Sequence, residues 1–275
     1  MAKELIVGIV QAYFNKYPEE NLDKASSIIV QKFREADIIV LPEYSMINPF
    51  IFRDSAEVYR LSEDVSSSRY LTYLEKLASK LNTSIVAHFI EKTNTPPLTK
   101  NTSILVSPNK VIPVYSKMHL FDAYNYKEST FFLPGISPGN IVTVKNFKLG
   151  FAVCYDLRFP ELFRFYAIKG ADVVVVQAGW VKGPLKEETL DILASARAHE
   201  NTIYIVLANQ TGDMFTGRSG VFSPWGYKEL DMGFDEKYAE YTLDIEEVEK
   251  TRSTIPVVRQ AAERWEIKTR YYQLR

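Results

Sequence analysis

Along the chain, short runs of β-branched and aliphatic residues alternate with longer stretches whose apolar positions recur every three to four residues. Residues 5–10 are the first such run and predict a strand. After Pro18, Ala25, Ile28, Ile29 and Phe33 recur at helical spacing. Residues 38–41 are apolar at every position, as in a strand covered on both faces. The unit then recurs, with Leu71, Leu74, Leu77 and Leu81 on one helix face within residues 70–81 and a strand at 84–89. Residues 103–106 and 111–115 flank Pro108-Asn109-Lys110, a turn signal that predicts a hairpin.

Residues 121–140 carry aromatics, Asn, Pro and Gly without any period, the pattern of a long surface loop, and such loops in compact domains are functional or disordered. Strands are predicted again at 141–144 and 148–154. Pro160 opens a helix carrying Leu162, Phe163, Tyr166 and Ala167, which ends at Gly170. Residues 173–176 predict a strand, 185–199 a helix and 203–208 a further strand. No polar linker interrupts this series and no repeat of fixed period is visible. The pattern predicts one α/β domain over residues 1–275, with parallel and antiparallel pairing mixed.

With 275 residues, 46% of them apolar and 24% charged, the chain has a sizeable core to bury and is not disordered. Thirty-three basic against 34 acidic residues, a net charge of -1, give no footprint for nucleic acid or an anionic membrane. No run approaches the roughly 18 apolar residues of a bilayer span, and the N-terminus lacks a signal sequence, so a cytoplasmic location is expected. The single cysteine fits a reducing compartment and gives thiol chemistry one address, Cys154. His88, His119 and His199 lack metal-ligand spacing, no G-x-G-x-x-G follows the first strand, and no phosphate-binding G-x-x-x-x-G-K motif is present. Neither a metal nor an organic cofactor is expected. Gly217-Arg218-Ser219-Gly220-Val221 lacks the second glycine of a serine-hydrolase elbow.

Cys154 ends the apolar run 149–153, just before the turn that leads to the helix at Pro160. A helix N-terminus and the free amides of a tight turn favour a thiolate and can donate to an oxyanion, although a lone cysteine equally suits a buried apolar niche. Glu43 stands just beyond the strand at 38–41, and Lys117 follows Val114-Tyr115-Ser116. Taken singly, the first would be a cap and the second a surface charge. Three strand ends that deliver Cys, Glu and Lys follow the rule by which open α/β sheets build sites.

Leu41-Pro42-Glu43, Ser116-Lys117-Met118-His119-Leu120-Phe121-Asp122 and Gly150-Phe151-Ala152-Val153-Cys154-Tyr155-Asp156-Leu157-Arg158-Phe159-Pro160-Glu161 resemble, in order, the signature segments of the nitrilase superfamily of carbon–nitrogen hydrolases. The resemblance covers nearly the whole chain and extends to Ala196-Arg197-Ala198-His199-Glu200-Asn201, Ser223-Pro224-Trp225-Gly226 and Ile255-Pro256-Val257-Val258-Arg259. It implies a four-layer αββα sandwich with mixed sheets. It also implies a Glu43–Lys117–Cys154 triad, a second glutamate at Glu128, and an oxyanion site made by Lys117 and the backbone amide of Tyr155.

The activity so implied is cysteine-dependent hydrolysis of a small, carboxylate-bearing amide to acid and ammonia through a thioester, closest to the amidase and omega-amidase branches. Arg158 stands where that branch binds the substrate carboxylate, and an ion pair with Asp156 or Glu161 is the competing reading. Trp180 and Tyr44 would line the pocket. Thr189-Leu190 departs from a His-Trp pair of the omega-amidases. The family resemblance further implies a homodimer or larger oligomer, with residues from about 245 to 275 contributing to its contacts. N-carbamoyl amino acid hydrolysis and nitrile hydrolysis are alternatives within the superfamily. A non-catalytic scaffold is a third, opposed by retention of all three triad residues.

Overall fold

The first half of the chain builds β1 (Glu4–Gln11), α1 (Pro18–Lys32), β2 (Ile38–Val40), α2 (Ser55–Leu61), α3 (Arg69–Leu81), β3 (Ser84–Glu91), β4 (Lys100–Ser107) and β5 (Lys110–Ser116). A small hairpin, β6 (Asp122–Ala123) and β7 (Tyr126–Lys127), follows. Next come β8 (Val142–Val144), β9 (Phe147–Val153), α4 (Pro160–Ile168), β10 (Val173–Ala178), α5 (Lys186–Asn201) and β11 (Tyr204–Asn209). The last elements are β12 (Gly220–Phe222), β13 (Lys228–Asp231), β14 (Lys237–Asp244), α6 (Ile245–Thr254) and α7 (Val257–Ala262). This computed structural model describes residues 3–267, so the end of the segment expected to make oligomer contacts, 268–275, lies outside the described residues.

Two six-stranded sheets run β14-β1-β2-β3-β4-β5 and β13-β12-β11-β10-β9-β8. Read from β14 in one and from β8 in the other, both follow one pattern: an antiparallel pair, two parallel pairs, then two antiparallel pairs. Each parallel centre is a pair of strand–helix–strand crossovers, so the halves share an architecture without sharing a sequence period.

Strand alternation sorts the side chains into layers. Leu5, Val7, Ile9, Ile38 and Val40 pack in one apolar cluster with Leu149, Phe151, Val173 and Val175 of the other sheet. Val10, Ile39, Leu41, Ile85 and Phe89 point the opposite way, onto Leu22, Ala25 and Ile29 of α1 and Leu71, Leu74 and Leu77 of α3. On the far side of the second sheet, Leu162 and Phe163 of α4 and Leu190, Ala194 and Ala198 of α5 join the same apolar cluster. The order is helix, sheet, sheet, helix, as the signature segments imply. Among the described residues no helix is long and apolar enough to cross a membrane.

The expectation of a surface loop over residues 121–140 is corrected. The β6–β7 hairpin and a 3-10 turn at Glu128–Thr130 lie there, and Glu128, Phe131 and Phe132 are buried. The segment folds back over the strand end before it, with the Gly135 amide donating to the Lys117 carbonyl at 2.7 Å. A Cβ at Gly135 would lie 2.0 Å from the Ser116 carbonyl oxygen, so only glycine permits that approach. A second element escaped the hydrophobic pattern. β14 is rich in charge, yet it pairs with all of β1 from Glu4↔Asp244 to Gln11↔Lys237.

Candidate active site

The sheets deliver the predicted residues to one place. Glu43 follows β2, Lys117 follows β5, Cys154 follows β9, and Gly179 and Trp180 follow β10. Glu43, Lys117 and Glu128 are each at most 1% exposed. The Lys117 ammonium lies 2.9 Å from Glu43 Oε1 and 2.9 Å from each carboxylate oxygen of Glu128. Burial alone would push the lysine toward its neutral form, but Glu128 and Glu43 outweigh it and hold the ammonium charged well beyond its ordinary range.

The two carboxylates are partnered differently. Glu128 Oε1 accepts from the Tyr44 hydroxyl at 2.8 Å and from Asn101 Nδ2 at 3.3 Å, and its Oε2 accepts from the Phe121 amide at 2.6 Å. Glu43 Oε1 accepts from Asn101 Nδ2 at 2.8 Å, while among the described residues its Oε2 accepts only from the Gly179 amide, at 2.9 Å. One oxygen of Glu43 therefore keeps acceptor capacity that Glu128 has spent. The backbone carbonyl of Glu43 is held by Gln210 Nε2 at 2.8 Å. Asn101 and Gln210 were not singled out in the sequence. A buried asparagine on a strand carries no signal until the fold sets it between two acids.

Cys154 starts the 3-10 turn Cys154–Arg158 with φ 47°, and Tyr44, next to Glu43, has φ 62°. A left-handed conformation costs a residue with a Cβ about 1–2 kcal/mol, and the site places both outliers beside its ionisable groups. The leading amides of such a turn, Tyr155 among them, have no partner within the helix. Asp156 locks the turn. Its Oδ2 accepts from the Val153 amide and the Tyr115 hydroxyl, each at 2.8 Å, and its Oδ1 lies 2.6 Å from His119 Nδ1. The turn bearing Cys154 is thus tied to both sides of Lys117. Burial, with Glu43 adding to it, pushes the Cys154 thiol well above its usual range, and Lys117 only partly offsets this. At neutral pH the sulfur is a thiol.

A pocket opens onto Cys154 and Lys117, lined further by Tyr44, Phe50, Phe121, Tyr155, Arg158, Trp180 and Lys186. Trp180 is a buried wall, fixed by its indole N–H on the Lys186 carbonyl at 3.0 Å. Tyr44 presents its ring, because its hydroxyl is committed to Glu128. Arg158 forms no ion pair with Asp156 or Glu161 among the described residues. The Asp156 oxygens are otherwise engaged, and the guanidinium lies over Trp180, 5.0 Å from the ring centre. Among the described residues no group of three His, Cys, Asp or Glu is placed to hold a metal ion.

This fold and site define a hydrolase of carbon–nitrogen bonds. Residues 6–253 match the family model for carbon-nitrogen hydrolases, and the chain belongs to that family. It is 32% identical to a deaminated glutathione amidase of Escherichia coli O157:H7, over 76% of this chain and 78% of that one. It is 29% identical to a 2-oxoglutaramate amidase of Bacillus subtilis (strain 168), over 87% of this chain and 90% of that one. The fold matches that of Saccharomyces cerevisiae Nit3, a member of branch 10 of the nitrilase superfamily. The TM-score is 0.82 with 26% identity, over 96% of this chain and 98% of that one.

Proposed function

We propose that the chain hydrolyses an amide of a small carboxylate-bearing acid through a thioester on Cys154. The observation that carries this reading is the buried Lys117 ammonium shared between Glu43 and Glu128 at the floor of the Cys154 pocket. A neutral thiol needs a base at the moment of attack. Glu43 Oε2, the less occupied oxygen, takes the proton as sulfur bonds to the carbonyl carbon. Two of the three Lys117 N–H groups serve the carboxylates, and the third, with the Tyr155 amide, receives the oxyanion.

Collapse of the tetrahedral intermediate breaks the C–N bond, and Glu43 returns its proton to the departing nitrogen. Water deprotonated by Glu43 then attacks the thioester, releasing the acid and restoring the thiol. Glu128, saturated with donors, holds Lys117 and transfers no proton. Arg158 anchors the carboxylate of the acyl group, since a half-buried guanidinium without an acidic partner among the described residues suits a bidentate anion. Tyr44 and Trp180 form the walls around the chain between them.

Incubation with succinamate, 2-oxoglutaramate, deaminated glutathione, N-carbamoyl amino acids and aliphatic nitriles tests the reading. Release of ammonia or amine from the carboxylate-bearing amides alone is expected. Turnover confined to the N-carbamoyl compounds or the nitriles would replace it with one of those chemistries. The same reading has the chain acting in the cytoplasm as a homodimer or larger oligomer, assembled through α4 and the C-terminal segment, and sedimentation of a monomer at micromolar concentration would count against the assembly.

A further inference from the structure

Glu43 and Cys154 stand on different sheets. Glu43 follows β2 of the first, and Cys154 follows β9 of the second. Much of the contact between the sheets comes from apolar residues such as Ile38, Val40, Phe151 and Val175, and apolar contact is non-directional. It sets the spacing of the sheets and leaves the alignment of their strand ends to polar groups.

Two buried glutamines of the second sheet, each at most 1% exposed, supply that alignment. Gln177 of β10 pairs with Val153, the residue before Cys154. Its side chain reaches the first sheet, where Nε2 donates to the Leu41 carbonyl at 2.6 Å and to the Val86 carbonyl at 3.3 Å. Gln210 follows β11, and its backbone amide donates to the Ala178 carbonyl of β10 at 3.0 Å. Its side chain accepts from the Phe14 amide at 2.8 Å and donates to the Glu43 carbonyl at 2.8 Å. With the Gly179 amide on Glu43 Oε2, the second sheet thus holds residues 41–43 through Gln177, Gln210 and Gly179. Gln177 Oε1 is buried without a hydrogen-bond partner among the described residues, so the carboxamide is present for its donor end although its acceptor end costs stability.

We infer, on the proposed role of Glu43 as base, that Gln177 and Gln210 are positioning residues that keep the Glu43 carboxylate in reach of the Cys154 sulfur across the two sheets. A carbonyl released by either amide frees residues 41–43 to shift, and a displacement of about 1 Å near a reacting centre can cost about 100-fold in rate. Arg158 and Trp180 follow strands of the second sheet and take no part in these hydrogen bonds, so the hold on the acyl group is spared.

The test measures kcat and KM for succinamate, and alkylation of Cys154 by iodoacetamide at neutral pH, in Gln177→Met and Gln210→Met. A fall in kcat of about 10- to 100-fold is expected, with KM within about twofold of wild type. Alkylation requires no proton for a leaving nitrogen and should be no slower than in wild type. Where a Met variant does not fold, the Asn variant at that position, which keeps the carboxamide but draws it back by one methylene, carries the same expectation. Unchanged kcat in the folded variants, a rise in KM alone, or alkylation slowed in step with kcat overturns the inference, the last because the disturbance would then lie in the Cys154 turn. Glu43→Gln is measured alongside. If it turns over succinamate undiminished, the base assignment falls and takes the inference with it, whereas an inactive Glu43→Gln beside fully active glutamine variants removes the positioning role alone.

Discussion

His88 Nε2 lies 2.7 Å from Asn101 Oδ1, and this contact fixes which end of the asparagine faces the two buried carboxylates. Burial pushes His88 down to about 3, so at neutral pH the ring is uncharged and its Nε2–H donates to Asn101. The amide nitrogen of Asn101 is then obliged to face Glu43 and Glu128, where only a donor is tolerated.

Burial of that ring, which the Asn101 contact only partly offsets, gives stability a pH dependence. The unfolded chain takes up a proton on His88 near the ordinary 6.5, whereas the folded chain refuses it until about 3. Between those values the unfolded state binds more protons, so stability falls as the pH drops. By pH 5 the loss amounts to about 2 kcal/mol. Urea unfolding of wild type and His88→Gln at neutral pH and at pH 5 should show a smaller acid loss in the variant. Equal losses would remove His88 from the account.

Removing the donor itself should be felt in turnover rather than in substrate binding. Asn101→Leu leaves both carboxylates short of a hydrogen bond to a charged group, each worth roughly 1.5–3 kcal/mol. We expect kcat to fall by one to two orders of magnitude with KM little changed. A pure KM effect with kcat unchanged would contradict a positioning role.

Glu43→Gln separates ionisation of the thiol from its use. Glu43 raises Cys154, while Lys117 lowers it, so loss of the acid should ease formation of the thiolate. Iodoacetamide should then label Cys154 faster at neutral pH in the variant than in the wild type, although amide turnover is lost. Slower labelling together with lost turnover would mean that Glu43 activates the sulfur in the resting enzyme.

Arg158→Met should cost roughly 1.5–3 kcal/mol in kcat/KM for succinamate per charged hydrogen bond lost, and far less for butyramide, which has no carboxylate to hold. Equal losses on both amides, with a lower melting temperature, would instead make Arg158 structural.

Much of this was readable in the chain because strands buried on both faces, such as residues 38–41 and 173–176, carry an unbroken apolar run, and their ends mark where a site can form. Glu43 and Cys154 stand at such ends, whereas Lys117 follows β5, a partly exposed edge strand. The rest depended on distances along the chain that no local pattern encodes. Glu128 Oε1 and Asn101 are brought together across 27 positions, and Asn101 reaches Glu43 across 58. Lys186 reads as an ordinary solvent-facing lysine until the β6–β7 hairpin places Tyr124 against it. β14 hid for another reason. It is an edge strand with an alternation diluted by charge, and its identity comes from the partner strand β1.

The thioester is the centre of the account, and intact-mass measurement on enzyme quenched in acid during turnover of succinamate tests it most directly. The account predicts a population heavier by the succinyl group, with the added mass on the peptide bearing Cys154 and missing from Cys154→Ala, which should be folded and inactive. Undiminished turnover by Cys154→Ala, or an acyl group found on any other residue, would contradict it.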